Sequence, residues 1–104
     1  EHTVALSSDT SATEEFWHIV NREPRIDALL IETSFPNFLR KLADTSGHFT
    51  PESLGQELEK LAHKGIDILA MHLKPSFRLQ LIEELAALGI PRLSVMQPGR
   101  EYSW

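Results

Sequence analysis

Two histidines and two carboxylates stand where an α/β protein gathers its chemistry. His72 closes the run Ile66-Asp67-Ile68-Leu69-Ala70-Met71-His72, and His48 lies in Ser46-Gly47-His48-Phe49-Thr50-Pro51. Thr50 reads as the cap, and Pro51 as the first position, of a helix that begins just after His48. Asp9, in Ser7-Ser8-Asp9-Thr10, ends another apolar run, and Glu32 ends a third. In open α/β sheets, ligand and catalytic side chains collect at the carboxyl ends of strands and the amino ends of helices. Neutral imidazole is the commonest protein ligand for zinc, and carboxylates complete such sites, so this set suggests metal-assisted hydrolysis.

Each residue also has a plainer role. Asp is a frequent helix N-cap, which is the commoner use of a residue placed like Asp9. Glu32 can reach solvent at a strand end, His48 can be an ordinary turn residue, and a lone His72 can be a satisfied core histidine. His18 and His63 read as a helix-surface residue and a helix C-terminal residue, the latter suited to the dipole there. His2 is expected to be terminal and exposed. Nucleophilic catalysis lacks support: the chain has no cysteine, no Gly-x-Ser-x-Gly elbow and no Gly-rich phosphate loop.

The elements that must position these groups alternate along the chain. Thr3–Leu6 is a short β-favouring run. Ser11 and Glu14 have capping-box spacing ahead of Phe16, Trp17 and Val20, with Pro24 as the stop. Ile26–Ile31 is nearly unbroken in its apolar character, as in a strand covered on both faces. Phe35, Phe38, Leu39 and Leu42 suggest a short helix after Pro36, followed by a polar turn from Asp44 to Gly47. A longer helix is expected from about Pro51 to Lys64, burying Leu54, Leu58 and Leu61 and stopping at Gly65. The strand ending at His72 follows. A helix opening at Pro75-Ser76 is expected to turn Leu79, Ile82, Leu85 and Ala86 inward, and Pro91–Met96 is a last strand. The order β-α-β-α-α-β-α-β, with connections long enough for helical crossovers, predicts an α/β fold with parallel pairing. Such apolar strands would prefer a further layer to pack against.

The totals narrow the function classes. At 104 residues the chain is one small domain, spanning 1–104, with 41% hydrophobic and 24% charged residues as in ordinary globular proteins. Zero cysteines exclude disulfides and thiolate metal sites, and fit a reducing, cytoplasmic compartment. The net charge of −5 and the scattering of ten cationic residues disfavour a nucleic-acid partner held by a basic face. No apolar run approaches the roughly 20 residues of a membrane span. No signal peptide is seen in the opening Glu1-His2-Thr3, and the missing initiator Met suggests a processed or excised piece.

Four short segments in order carry a family likeness: Ser8-Asp9-Thr10, Leu30-Ile31-Glu32-Thr33-Ser34-Phe35, Ser46-Gly47-His48-Phe49-Thr50-Pro51, and Met71-His72-Leu73-Lys74-Pro75. Together they resemble the C-terminal half of metallo-β-lactamase-fold phosphodiesterases, nearest to the class II cyclic-nucleotide phosphodiesterases. A more distant likeness is to the tRNA 3′-processing endonucleases. The similarity runs from about Val4 to Tyr102. It implies half of an αββα sandwich, with Asp9 bridging two divalent metal ions, zinc or manganese, and His72 as the last histidine ligand. It implies that Glu32 and His48 form a pair beside the scissile phosphate. There His48 would protonate the leaving oxygen, while Glu32 fixes its tautomer.

The family's His-x-His-x-Asp-His motif is absent, and so is the histidine ligand that precedes the bridging aspartate. Two ligands cannot hold a metal pair, since one catalytic zinc usually takes about three. The metals are therefore expected in an intact parent protein and not in this chain alone, which should be inactive without an N-terminal half. The expected substrate is a small cyclic nucleotide, with an RNA-processing endonuclease fragment as an alternative. A fragment with exposed sheet edges is also prone to self-associate. The rival from another class is a complete, non-enzymatic α/β domain serving regulation or protein interaction. Convergence of Asp9, Glu32, His48 and His72 on one side of the sheet separates the two.

Overall fold

The computed structural model describes residues 4–7, 14–63, 65–71, 73–97 and 99–102. It is an α/β structure whose elements run β1 (Val4–Ser7), α1 (Glu14–Arg22), β2 (Ala28–Glu32), α2 (Arg40–Ser46), α3 (Pro51–Leu58), β3 (Asp67–Met71), α4 (Arg78–Ala87) and β4 (Leu93–Val95). Single 3-10 turns at Asn37–Leu39 and Pro75–Phe77 lead into α2 and α4. The strands form one sheet in the order β1-β2-β3-β4, and every pairing is parallel. Each crossover advances the sheet by one strand. Crossovers of one hand then carry the intervening helices to the same face.

That face holds the core. Leu29 and Ile31 of β2 and Ile68 and Ala70 of β3 alternate onto it, where they meet Trp17 and Val20 of α1, Leu54 and Leu58 of α3, and Leu85 of α4. The opposite face receives Val4, Leu6 and Leu30 by the same alternation. Val4 and Leu6 are 41% and 58% exposed, and Leu30 is half-buried. The unbroken apolar run of β2 thus meets helices on one side and an only partly covered surface on the other.

Several elements depart from the pattern read in the sequence. Asp44–Ser46, expected as a turn, complete α2, in which Leu42 is exposed and Ala43 is the residue buried, while Phe38 is exposed on the 3-10 turn before it. Helix α3 stops at Leu58, six residues before Lys64. Its last turn unwinds because the side chain of Asn21 holds the next segment, donating to the Lys60 carbonyl at 2.7 Å and accepting from the Ala62 N–H at 2.8 Å. Leu61 stays buried all the same. His63, past the helix end, donates through Nε2 to the Val20 carbonyl (3.0 Å) and serves this docking rather than a helix dipole. In α4 the inward residues are Leu81 and Leu85. Leu79 is 81% exposed and Ala86 is exposed too. Successive α-helical side chains are turned by about 100°, so once Leu81 and Leu85, four apart, face the core, Leu79 points away from it.

Candidate functional site

The carboxyl end of β2 carries a run of polar residues into the interior. Glu32, Thr33 and Ser34 are all buried, as are Thr50 and Ser53 at the start of α3. Burying such groups costs stability unless each finds partners. Thr50 and Ser53 satisfy each other in a capping box: the Ser53 N–H donates to Thr50 Oγ1 (3.1 Å), and the Thr50 N–H donates to Ser53 Oγ (2.9 Å). With Pro51 at the first helical position, this start of α3 follows the sequence expectation.

The loop after β2 is fastened on both sides. The Thr33 N–H donates to the Met71 carbonyl at 3.0 Å, which continues the sheet one residue further. The N–H groups of Ser34 and Phe35 both point at the Phe49 carbonyl (3.2 and 3.3 Å), and the Lys74 N–H donates to the Ser34 carbonyl (3.3 Å). The backbone at Glu32–Phe35 is thereby clamped between the end of β3 and the segment that carries His48.

His48 reaches this loop because of how α2 ends. Gly47 adopts φ +77°, its N–H donates to the Asp44 carbonyl, and the His48 N–H donates to the Ala43 carbonyl at 2.8 Å. This pair of bonds is a Schellman turn, in which a left-handed residue reverses the chain and satisfies the last helix carbonyls. The turn sends the imidazole back toward β2, where Nδ1 lies 2.8 Å from Glu32 Oε1.

The same carboxylate oxygen accepts from the Ser34 hydroxyl. Glu32 is 1% exposed and the His48 side chain 25%, so a buried carboxylate holds a histidine that still reaches the surface. Where the carboxylate is ionised it only accepts, and Nδ1 then carries the hydrogen. Nε2 is then left as the basic nitrogen, and it makes no hydrogen bond among the described residues. The Phe35 ring meets the imidazole edge-on with centroids 5.7 Å apart, and Lys74 Nζ stands 5.3 Å from the centroid of that same ring. Lys74 and His48 thus share the Phe35 ring as a neighbour.

Of the four residues expected to converge, Glu32 and His48 do so. Asp9 and His72 lie outside the described residues. His18 sits exposed on α1. Among the described residues no three His, Asp or Glu side chains assemble as a metal site. Sequence reasoning missed the part played by Ser34, which lies inside a segment already singled out. It also missed Gly47, although a glycine directly before a candidate histidine is a signal for a left-handed helix end. Comparison of the chain with protein-family models gives no match, and comparison with curated proteins gives no significant match.

Proposed function

We propose that this chain is part of a metal-dependent phosphodiesterase, acting in the intact protein on 3′,5′-cyclic nucleotides. The supporting observation is the Glu32–His48 pair, in which a buried carboxylate fixes the tautomer of a half-exposed imidazole at the carboxyl end of a parallel strand. A histidine held in this way is suited to proton transfer at neutral pH. In this reading Nε2 of His48 carries the proton given to the departing ribose oxygen. Glu32 stabilises the imidazolium before transfer, and Ser34 holds the carboxylate in its rotamer. Lys74, which packs on the Phe35 ring that also meets His48, would in this reading add positive charge for a phosphoryl group.

The reading assigns two divalent ions to the intact protein, with Asp9 and His72 among their ligands and the rest supplied by a second half. The finer architecture belongs to the same proposal: the second half would form the other layer of an αββα sandwich and cover the face that bears Val4, Leu6 and Leu30. Among the described residues no helix is long and apolar enough to cross a membrane.

The test combines this chain with a segment carrying a His-x-His-x-Asp-His motif, in manganese or zinc buffer, and measures cyclic AMP hydrolysis. The complex should hydrolyse cyclic AMP while the chain alone does not. His48→Gln should lower kcat by about 10²–10⁴, the usual contribution of a general acid. A well-folded complex without activity, or undiminished activity in His48→Gln, overturns the assignment.

A further inference from the structure

One strand away from Glu32, a second polar site opens at the carboxyl ends of β3 and β4. Met71, which lies opposite Glu32 in the sheet register, lines a cleft of about 420 Å³ together with Leu73, Met96 and the side chains of Arg78, Arg100 and Tyr102. That volume falls in the range of small-molecule sites. Its place, outside the strand ends of a parallel sheet, is where α/β proteins hold ligands.

Charge sets the cleft apart. The chain is acidic overall, and Arg25, Arg40 and Arg92 are each engaged with carboxylates. Neither Arg78 nor Arg100 has a carboxylate partner among the described residues, and both line this cleft as well as a smaller one between α4 and β4. Arg100 is held in place. Its N–H closes a turn onto the Gln97 carbonyl (3.2 Å), Gly99 takes φ +80° within that turn, and the guanidinium stacks 5.2 Å from the Tyr102 ring centroid. The Tyr102 hydroxyl in turn accepts from the Gln97 N–H at 2.8 Å. Arg78 is half-buried at the first position of α4.

We propose that this cleft binds an organic phosphomonoester. Two guanidiniums match a dianionic phosphate, whose oxygens accept from Arg in forked geometry. The thioethers and Leu73 offer an apolar wall to the organic part, which bare phosphate does not have. The proposal goes beyond the hydrolytic reading and is independent of it, because it concerns equilibrium binding without metal or a second half.

The experiment titrates 5′-AMP, inorganic phosphate and adenosine into the ¹⁵N-labelled 104-residue chain. Amide shifts of Met96, Gly99, Arg100 and Arg78 are followed. 5′-AMP should shift these amides saturably, with adenosine and inorganic phosphate each at least tenfold weaker. The double variant Arg78→Gln/Arg100→Gln should weaken 5′-AMP at least tenfold, while Arg22→Gln, on the exposed surface of α1, leaves it unchanged. Absence of saturable shifts with 5′-AMP overturns the proposal. So does equal binding of adenosine or inorganic phosphate, or equal loss in Arg22→Gln. Loss of hydrolysis in the assembled protein bears on the other reading and leaves this one intact.

Discussion

Glu32 and His48 meet across sixteen residues at 2.8 Å, and the carboxylate of that pair is almost fully buried. Such pairing is a poor way to stabilise a fold. Removing one partner weakens the satisfaction of a buried charge, whereas replacing both with apolar groups of similar size is often neutral. His48→Leu should therefore cost about 1–3 kcal/mol in urea unfolding, at the low end because the imidazole reaches solvent. Glu32→Leu/His48→Leu should cost less than the sum of the single changes. Strictly additive losses would show that the two side chains do not act as a unit. A double variant as stable as the parent would mean that the pair is kept for chemistry rather than for folding.

The direction of His48 depends on one backbone conformation. Gly47 sits at φ +77°, where a side chain costs about 1–2 kcal/mol in contact between Cβ and the following carbonyl. Gly47→Ala should lower stability by about that amount. It should also loosen the imidazole, read as a change in the His48 side-chain NMR resonances. Gly89→Ala, also at positive φ but distant from the pair, should match the stability loss without the change at His48. Identical spectra at His48 in both variants would separate the Schellman turn from the site.

The contrast between the legible and illegible parts of this fold follows the range of the forces involved. Thr50 and Pro51 announce α3 because a cap and a fixed φ are local properties. The runs ending at Glu32 and Met71 announce parallel strands because both are mostly apolar and separated by helical crossovers. What escaped was set by contacts from elsewhere in the chain. Leu61 keeps the periodicity of α3, but Asn21 of α1 captures the backbone around it and ends the helix at Leu58. Glu32 and His48 were each visible as candidates, and their approach required the Schellman turn and the clamp on residues 33–35.

The capture by Asn21 can be measured directly. Its amide satisfies the Lys60 carbonyl and the Ala62 N–H at once, just past the end of α3. Asn21→Ala removes both bonds, each with a net worth of about 1 kcal/mol. Amide hydrogen exchange at Ala62 should quicken roughly fivefold or more, the factor that about 1 kcal/mol corresponds to. The Leu54 amide, inside α3 and bonded to the Thr50 carbonyl at 2.8 Å, should exchange as before. Unchanged exchange at Ala62 would mean that α3 ends for reasons within its own residues.

Helix α4 gives the clearest case in which side-chain type misleads and phase decides. Leu79 and Leu81 differ by one intervening residue, and both are leucines in the same two turns. Leu81 is fully buried, whereas Leu79 is 81% exposed, because two residues along an α-helix turn the side chain through more than half a circle. Leu81→Ala removes buried methyl groups and leaves a cavity, so it should destabilise by about 2–5 kcal/mol. Leu79→Ala touches little and should stay within about 0.5 kcal/mol of the parent. Leu79→Glu should also be tolerated, since its carboxylate would project into water. Chemical unfolding of the three variants decides the register of α4, and with it the placing of Arg78 at the mouth of the cleft. If Leu79→Ala proved the costlier change, the helix would be rotated and both assignments would fall together.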